Sequence, residues 1–265
     1  MTKWIRMAAV FAAVLVAARV ASAQEDLERF VRDLREQARQ NPQRMDLQIS
    51  LGNAAVQAQK YDIAIEAFQT VLDSLDPDSS AAGDLLLRLG ETERRKGDTD
   101  AAVTALTHAR VLLPDNPLVT GTLALVFDGA GRYAEAQDAY RTTLKLDPEN
   151  ATAMNNLAYL LAMHGGGLDQ ALALARGAHA RSPEAPEVSD TLAVVLMKSG
   201  DNASALPLLM DAVGREPLEP LYRTHLAASL GQKADRSARE QELLDALGGE
   251  PSEQNGQRIT ELLRK

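Results

Sequence analysis

Cysteine is absent from the 265 residues of this chain. Disulfide bonds, thiol nucleophiles and cysteine-ligated metal sites are therefore excluded from any account of its stability or chemistry. Aromatic residues are also scarce, at 4% of the composition, while alanine and leucine are abundant. Because β-rich proteins depend on aromatic and β-branched side chains, this composition favours helices over sheets.

Basic residues are outnumbered by acidic ones, 28 to 37, and the formal net charge is −9. An acidic chain does not attract nucleic acid or an anionic membrane surface through bulk electrostatics, so we expect no nucleic-acid partner. Hydrophobic residues make up 45% of the chain and charged residues 25%. These proportions are sufficient for a buried core and a water-exposed surface.

The first 23 residues differ from the rest of the chain. A basic start, MTKWIR, is followed by twelve uncharged, mostly apolar residues (7–18) and by the small residues ASA. This order is typical of a secretory signal peptide, with cleavage between Ala23 and Gln24. The apolar run is shorter than the roughly 20 residues that a membrane-spanning helix needs. We expect export to the periplasm, with an uncleaved anchor in the inner membrane, facing the periplasm, as the alternative.

Proline recurs at a nearly constant interval. Seven of the 11 prolines are 34–37 residues apart. They are Pro42, Pro77, Pro114, Pro148, Pro183, Pro217 and Pro251. Three others, Pro117, Pro186 and Pro220, each follow a member of this series by three residues. Because proline ends a helix but is tolerated in a first turn, the pattern predicts one helix end and one helix start at each junction.

Between the prolines, each unit carries the same apolar pattern. A leucine followed by a small residue marks a first helix, at Leu51, Leu89, Leu123, Leu157, Leu192 and Leu226. Thirteen or fourteen residues later a small residue marks a second helix, at Ala64, Ala102, Ala136, Ala171 and Ala205. Small residues at one level of both helices allow their axes to approach closely. One such pair cannot bury its apolar face alone, so the units are expected to stack.

This pattern resembles the tetratricopeptide repeat (TPR), and the resemblance covers six units over residues 45–251. The segment LVTGTLALVFDGAGRYAEAQDAYRTTLKLDP (118–148) is close to a consensus unit. The resemblance implies an all-α fold, a right-handed superhelical solenoid of antiparallel helix pairs. Residues 24–44 and 252–265 are interpreted as N- and C-terminal capping helices, after the signal segment 1–23.

No pattern of catalytic or metal-binding residues is recognisable. None of the four histidines pairs with another at the spacing of a helical metal site. The glycine-rich stretches 129–131 and 165–167 read as turns between helices and do not match a phosphate-binding loop. We therefore expect a non-enzymatic protein without a cofactor or metal. An unrecognised enzyme or small-ligand carrier is the alternative from another functional class.

In the TPR family the first helices line a concave groove, which implies where a partner would bind. The candidate partner-binding residues are Asn53, Arg95, Asn155, Tyr159, Asp190 and Met197. Other inward-facing positions include Leu125 and Asp128. An asparagine amide can pair with a peptide backbone through both its donor and its acceptor. In the other interpretation, Asn155 and Asn156 form hydrogen bonds within the repeat array.

These observations predict a protein–protein interaction scaffold or adaptor of the bacterial cell envelope that binds a peptide or helix in its groove. Secretion, pilus assembly and exopolysaccharide assembly are the pathways in which we expect it. The alternative is a TPR assembly factor anchored in the membrane by its uncleaved N-terminal segment. Contact with a membrane is expected only if that segment is retained.

Overall fold

A computed structural model describes residues 24–165, 167–233 and 235–264 of the chain. These residues form helices joined by turns, and the all-α class predicted from composition and periodicity is confirmed. The predicted signal segment, 1–23, lies outside the described residues. Within the described ranges, none of the helices combines the length and the hydropathy needed to cross a membrane.

The helices follow one another with short connections. They are α1 (24–40), α2 (Met45–Gln57), α3 (Tyr61–Leu72), α4 (Ser80–Lys96), α5 (Thr99–Leu112), α6 (Pro117–Gly129), α7 (Tyr133–Leu146), α8 (Ala151–His164), α9 (Leu168–Arg181), α10 (Pro186–Lys198), α11 (Asn202–Arg215), α12 (Pro220–Gly231), α13 (Ala238–Leu247) and α14 (Glu253–Arg264).

Helices pack in consecutive pairs, as the repeat predicts. Within its unit, α2 packs on α3, α4 on α5, α8 on α9 and α10 on α11. First helices also contact the next first helix, as α8 does with α10 and α10 with α12. This is the packing of a TPR-like solenoid. The chain divides into two compact units, of which unit 1 extends to Val126 and unit 2 begins at Phe127.

The helix ends lie where the prolines predict them. α5, α7, α9 and α11 each end two residues before a proline of the periodic series. α6, α10 and α12 each begin at a proline, at residues 117, 186 and 220. Proline lacks an N–H and fixes φ, so it stops one helix and fits the first turn of the next. The prediction of paired stops and starts is confirmed.

In unit 1 the paired helices meet at glycines. A β-carbon placed on Gly52 of α2 would lie 2.3 Å from Cε1 of Phe68 in α3. A β-carbon on Gly90 of α4 would lie 2.5 Å from Cγ of Leu106 in α5. Both large side chains are fully buried. Glycine is therefore required at these two positions, because any side chain would occupy the space that the partner helix fills.

Alanine has the corresponding role in the second helices of unit 2. Ala136, Ala171 and Ala205 are fully buried in α7, α9 and α11. Leu209 and Tyr140, one turn after two of them, are also buried in the core. The predicted arrangement of a small residue followed by a large apolar one is confirmed at these positions.

Two arginines, one buried and one half-buried, hold the C-terminal helices of unit 2 together. Arg223 of α12 is 4% exposed, and its Nη2 donates to the carbonyl oxygens of Leu247 and Gly249, at 2.8 and 2.6 Å. A guanidinium there complements the negative end of the α13 dipole. Arg239 of α13 donates from Nε to the carbonyl of Leu262 at 2.7 Å, which ties α14 to the last pair.

The close approach of paired helices predicts the effect of adding one methyl group. We expect Gly52→Ala and Gly90→Ala to lower the free energy of unfolding by about 1–3 kcal/mol each, because the new methyl overlaps a buried side chain. Gly214→Ala, in helix α11, is the control, since its β-carbon would come no nearer than 3.8 Å to Leu263.

The free energy of unfolding of Gly214→Ala is expected to rise by up to about 1 kcal/mol, because alanine has a better helix propensity than glycine. Urea unfolding followed by circular dichroism measures all three variants. If the two unit 1 variants were as stable as Gly214→Ala, the close-approach account would be wrong.

Candidate functional site

Two of the candidate groove residues, Asn53 and Arg95, belong to unit 1. The Asn53 side-chain oxygen accepts a hydrogen bond from Nη1 of Arg88 at 3.1 Å, joining α2 to α4. Arg95 donates from Nε to Glu91 at 2.8 Å, and Arg94 donates to the same carboxylate at 2.7 Å. Asn53 and Arg95 thus already have partners inside the unit.

The charge of Glu91 is stabilised by this arrangement. Burial alone would raise the pKa of the Glu91 carboxyl, but the hydrogen bonds from Arg94 and Arg95 outweigh it and the pKa is lowered. Glu91 is therefore ionised and compensated within unit 1. A ligand at this place would have to break existing ion pairs, which makes it a poorer candidate site than unit 2.

The other four candidate residues, Asn155, Tyr159, Asp190 and Met197, belong to unit 2. Asn155 is 8% exposed, and its Nδ2 donates to Asn156 Oδ1 at 3.3 Å. Asn156 in turn donates to the hydroxyl of Tyr140 at 3.0 Å. Both amides thus form hydrogen bonds within the array. No donor among the described residues reaches the buried Oδ1 of Asn155.

Asp190 is buried and paired. Both of its carboxylate oxygens lie 2.8–2.9 Å from Nδ1 of His225, which joins α10 to α12. The side chains of Asp190 and His225 are 4% and 17% exposed. Asp190 therefore braces two successive first helices, although its charge still acts on its neighbours. Met197 lies half-buried in the last turn of α10.

Tyr159 is surrounded by ionisable and aromatic groups. Burial raises the pKa of its phenol, and nearby Asp190, Asp128 and Tyr133 raise it further. Tyr133 stacks on His164, with ring centroids 3.5 Å apart and planes 16° apart. We call Asp128, Tyr133, Tyr159 and His164 the acidic–aromatic cluster. It joins the end of α6, the start of α7 and the second half of α8.

Asp128 is the member of this cluster whose ionised form is disfavoured by its surroundings. Its half-buried carboxylate lies in the last turn of α6, where the helix dipole is negative. Burial raises its pKa, and the proximity of His164 only partly offsets that effect. None of the described residues forms a hydrogen bond or an ion pair with this carboxylate. A group supplied from outside could therefore satisfy it.

Further negative charge in unit 2 lies around Tyr222 of α12. Burial raises the pKa of Tyr222 to about 12, and Glu216, Glu187, Asp190 and Glu219 raise it in the same direction. Within the described ranges, no group of three or more histidines and carboxylates is placed to hold a metal ion.

Three participants were not among the predicted site residues: Tyr133, His164 and His225. The repeat period contained a signal for one of them, since His225 follows Asp190 by 35 residues, one unit along. Residues one unit apart in first helices lie side by side. The stacked pair had no such signal, because Tyr133 and His164 come from different positions of successive units.

One family model matches almost the whole chain. The model described as cilia and flagella-associated protein 70 C-terminal domain, a TPR family, aligns with residues 7–262.

Two curated proteins share parts of the sequence. The general transcriptional corepressor ssn6 of Schizosaccharomyces pombe is 27% identical over 42% of this chain, and the uncharacterized protein y4yS of Sinorhizobium fredii is 36% identical over 24% of it. The aligned segments span only 10% and 35% of those two proteins.

Solved structures share the fold at low sequence identity. YrrB, described as a TPR protein with an unusual peptide-binding site, aligns with a TM-score of 0.56 and 17% identity, covering 71% of this chain and 95% of YrrB. A TPR protein from Parabacteroides merdae aligns with a TM-score of 0.61 and 14% identity, covering 84% of this chain and all of that protein.

Removal of the histidine that pairs with Asp190 should destabilise unit 2. We expect His225→Ala to lower the free energy of unfolding by about 3 kcal/mol, because it leaves a buried carboxylate without its donor. Thr224→Ala, on the exposed neighbouring side of α12, is the control. Equal urea midpoints for the two variants would show that the pair does not brace the helices.

The environment of Asp128 predicts a pH-dependent stability difference. Because burial raises the folded-state pKa of this acid, its ionised form disfavours folding at neutral pH, and the effect vanishes as the pH falls to about 3, below the unfolded-state pKa of about 3.9. We expect Asp128→Asn to be more stable than the parent at pH 7, by less than about 1 kcal/mol because solvent screens a half-exposed group.

At about pH 3 the two proteins should unfold at the same urea concentration. An Asp128→Asn variant that is less stable than the parent at pH 7 would mean that the carboxylate has a stabilising partner.

Proposed function

The chain belongs to the family of the cilia and flagella-associated protein 70 C-terminal domain, and from that premise we propose that it is a non-enzymatic protein–protein interaction scaffold. It binds a peptide or helix of its partner along the first helices of unit 2. The observation that carries this proposal is the acidic–aromatic cluster, whose polar and aromatic groups stay accessible after the helix pairs have packed.

Accessibility separates the cluster from the packing residues. Tyr133 is 37% exposed and Met163, beside Tyr159 on α8, is 40% exposed, whereas Leu157 and Leu161 of the same helix are buried. One face of α8 therefore builds the core and the other offers aromatic, thioether and polar groups to solvent. Exposed aromatic residues beside polar groups are typical of binding surfaces.

The similarity to YrrB supports the proposal by analogy of fold. That protein is described as having a peptide-binding site. A shared fold does not carry a function by itself, so the argument for this chain depends on the cluster. The candidate residues in unit 1 are a weaker choice because their hydrogen bonds are already made.

We further propose that the scaffold acts in the periplasm of a Gram-negative bacterium, in secretion, pilus or exopolysaccharide assembly. The support is the order of basic, apolar and small residues in 1–23. The alternative is an assembly factor held in the inner membrane by the same segment.

Mass spectrometry of the native N-terminus distinguishes the two. A mature protein that begins at Gln24 is expected, and a chain that retains residues 1–23 would favour the anchored form.

Photo-crosslinking in cells tests the binding surface. A photoreactive residue at Met163 is expected to capture a protein partner from the envelope fraction, because this position borders the cluster. The same residue at exposed Lys145, on the second helix α7, is the control and is expected to capture none. Adducts formed at position 145 and absent at 163 would place the partner on the second helices and contradict the proposal.

A further inference from the structure

We propose that the acidic–aromatic cluster of unit 2 is a receptor for a basic side chain, an arginine or lysine carried by the partner segment. This inference rests on the proposed scaffold function and specifies what that surface selects. The four residues that carry it are Asp128, Tyr133, Tyr159 and His164.

Electrostatics favour a cation at this place. The Asp128 carboxylate has no partner among the described residues, and it lies beside carbonyl groups at the negative end of α6. The charge of Asp190 also acts on Tyr159. His164 only partly offsets the burial of this anion, which therefore disfavours the folded chain, and a bound cation would reduce that effect. The net charge of −9 attracts the same class of partner at longer range.

The aromatic groups suit the flat or extended shape of a basic side chain. A guanidinium or ammonium group is attracted to the face of a tyrosine ring within about 6 Å. Tyr159 lies near Asp128 and near Tyr133, so one cation can contact the Tyr159 ring and the carboxylate together. Exposed Met163 adds apolar surface for the methylene stem.

A basic residue of the chain itself already shows this type of contact nearby. The guanidinium of Arg132 lies 4.5 Å from the centre of the Phe127 ring and also pairs with Glu135. The combination of a ring and a carboxylate therefore binds an arginine immediately beside the cluster. Asn155, one turn before Tyr159, has in addition a buried oxygen that no donor of the described residues reaches, and a ligand N–H could supply one after the amide rotates.

Peptide display on the full-length chain tests this proposal. A random twelve-residue library is selected against the protein, and recovered peptides are synthesised with a fluorophore for anisotropy titration. Each peptide is also made with its arginines and lysines replaced by glutamine. We expect the recovered peptides to be enriched in basic residues and the glutamine forms to bind at least about tenfold more weakly, as for loss of a charge-assisted contact.

Variants then locate the contact. Asp128→Asn should weaken binding at least about tenfold. Asp169→Asn, the same charge change at an exposed residue of α9, should change it less than about twofold. Tyr159→Leu should weaken peptide binding about two- to fivefold. Tyr159→Phe, which keeps the ring, should have little effect on binding. Because Asp128→Asn is expected to fold at least as stably as the parent, its loss of binding cannot come from unfolding.

The outcomes separate this inference from the broader function. Peptides that bind equally well after the glutamine replacement overturn the basic-side-chain proposal and leave the scaffold function standing. Equal effects of Asp128→Asn and Asp169→Asn overturn it as well. If the library yields no peptide that binds unit 2, both the inference and the proposed peptide-binding scaffold are wrong.

Discussion

The close approach of two helices within each repeat is the constraint on which the rest of the structure depends. At Gly52 and Gly90 the facing side chain occupies the space where a β-carbon would be. Buried alanines such as Ala136 have the same role in the second helices of unit 2. Because these seams and the leucines beside them form the core, part of the surface of a first helix such as α8 is left exposed and is available for binding.

The few aromatic residues divide in the same way between the buried core and the accessible surface. Phe68 and Tyr140 are buried where they fill the core beside a small residue. Tyr133 remains accessible, and Tyr159 is half-buried near the Asp128 carboxylate, which forms no hydrogen bond or ion pair with the described residues. In unit 1 the row of candidate residues on the first helices is polar, and there Arg95 and Glu91 neutralise each other.

The fold could be predicted because the same sequence signals for helix ends and helix contacts recur in each repeat. Pro148 and Ala136 mark a helix end and a close contact without reference to any distant residue. The site was less predictable, since its members meet only after folding. Asp128 and Tyr159 were recognised as inward-facing, whereas the stacking of Tyr133 on His164 depends on how one turn meets the end of the next first helix. Asn155 was chosen for its amide, which the structure buries in a chain of hydrogen bonds.

A crystal structure of the chain bound to the partner segment that it captures from the cell would test the central claim most directly. The account predicts that the segment lies along the first helices of unit 2, with a basic side chain in contact with Asp128 and a tyrosine ring of the acidic–aromatic cluster. A partner that packs on the second helices, or that leaves Asp128 in contact with solvent alone, would contradict it.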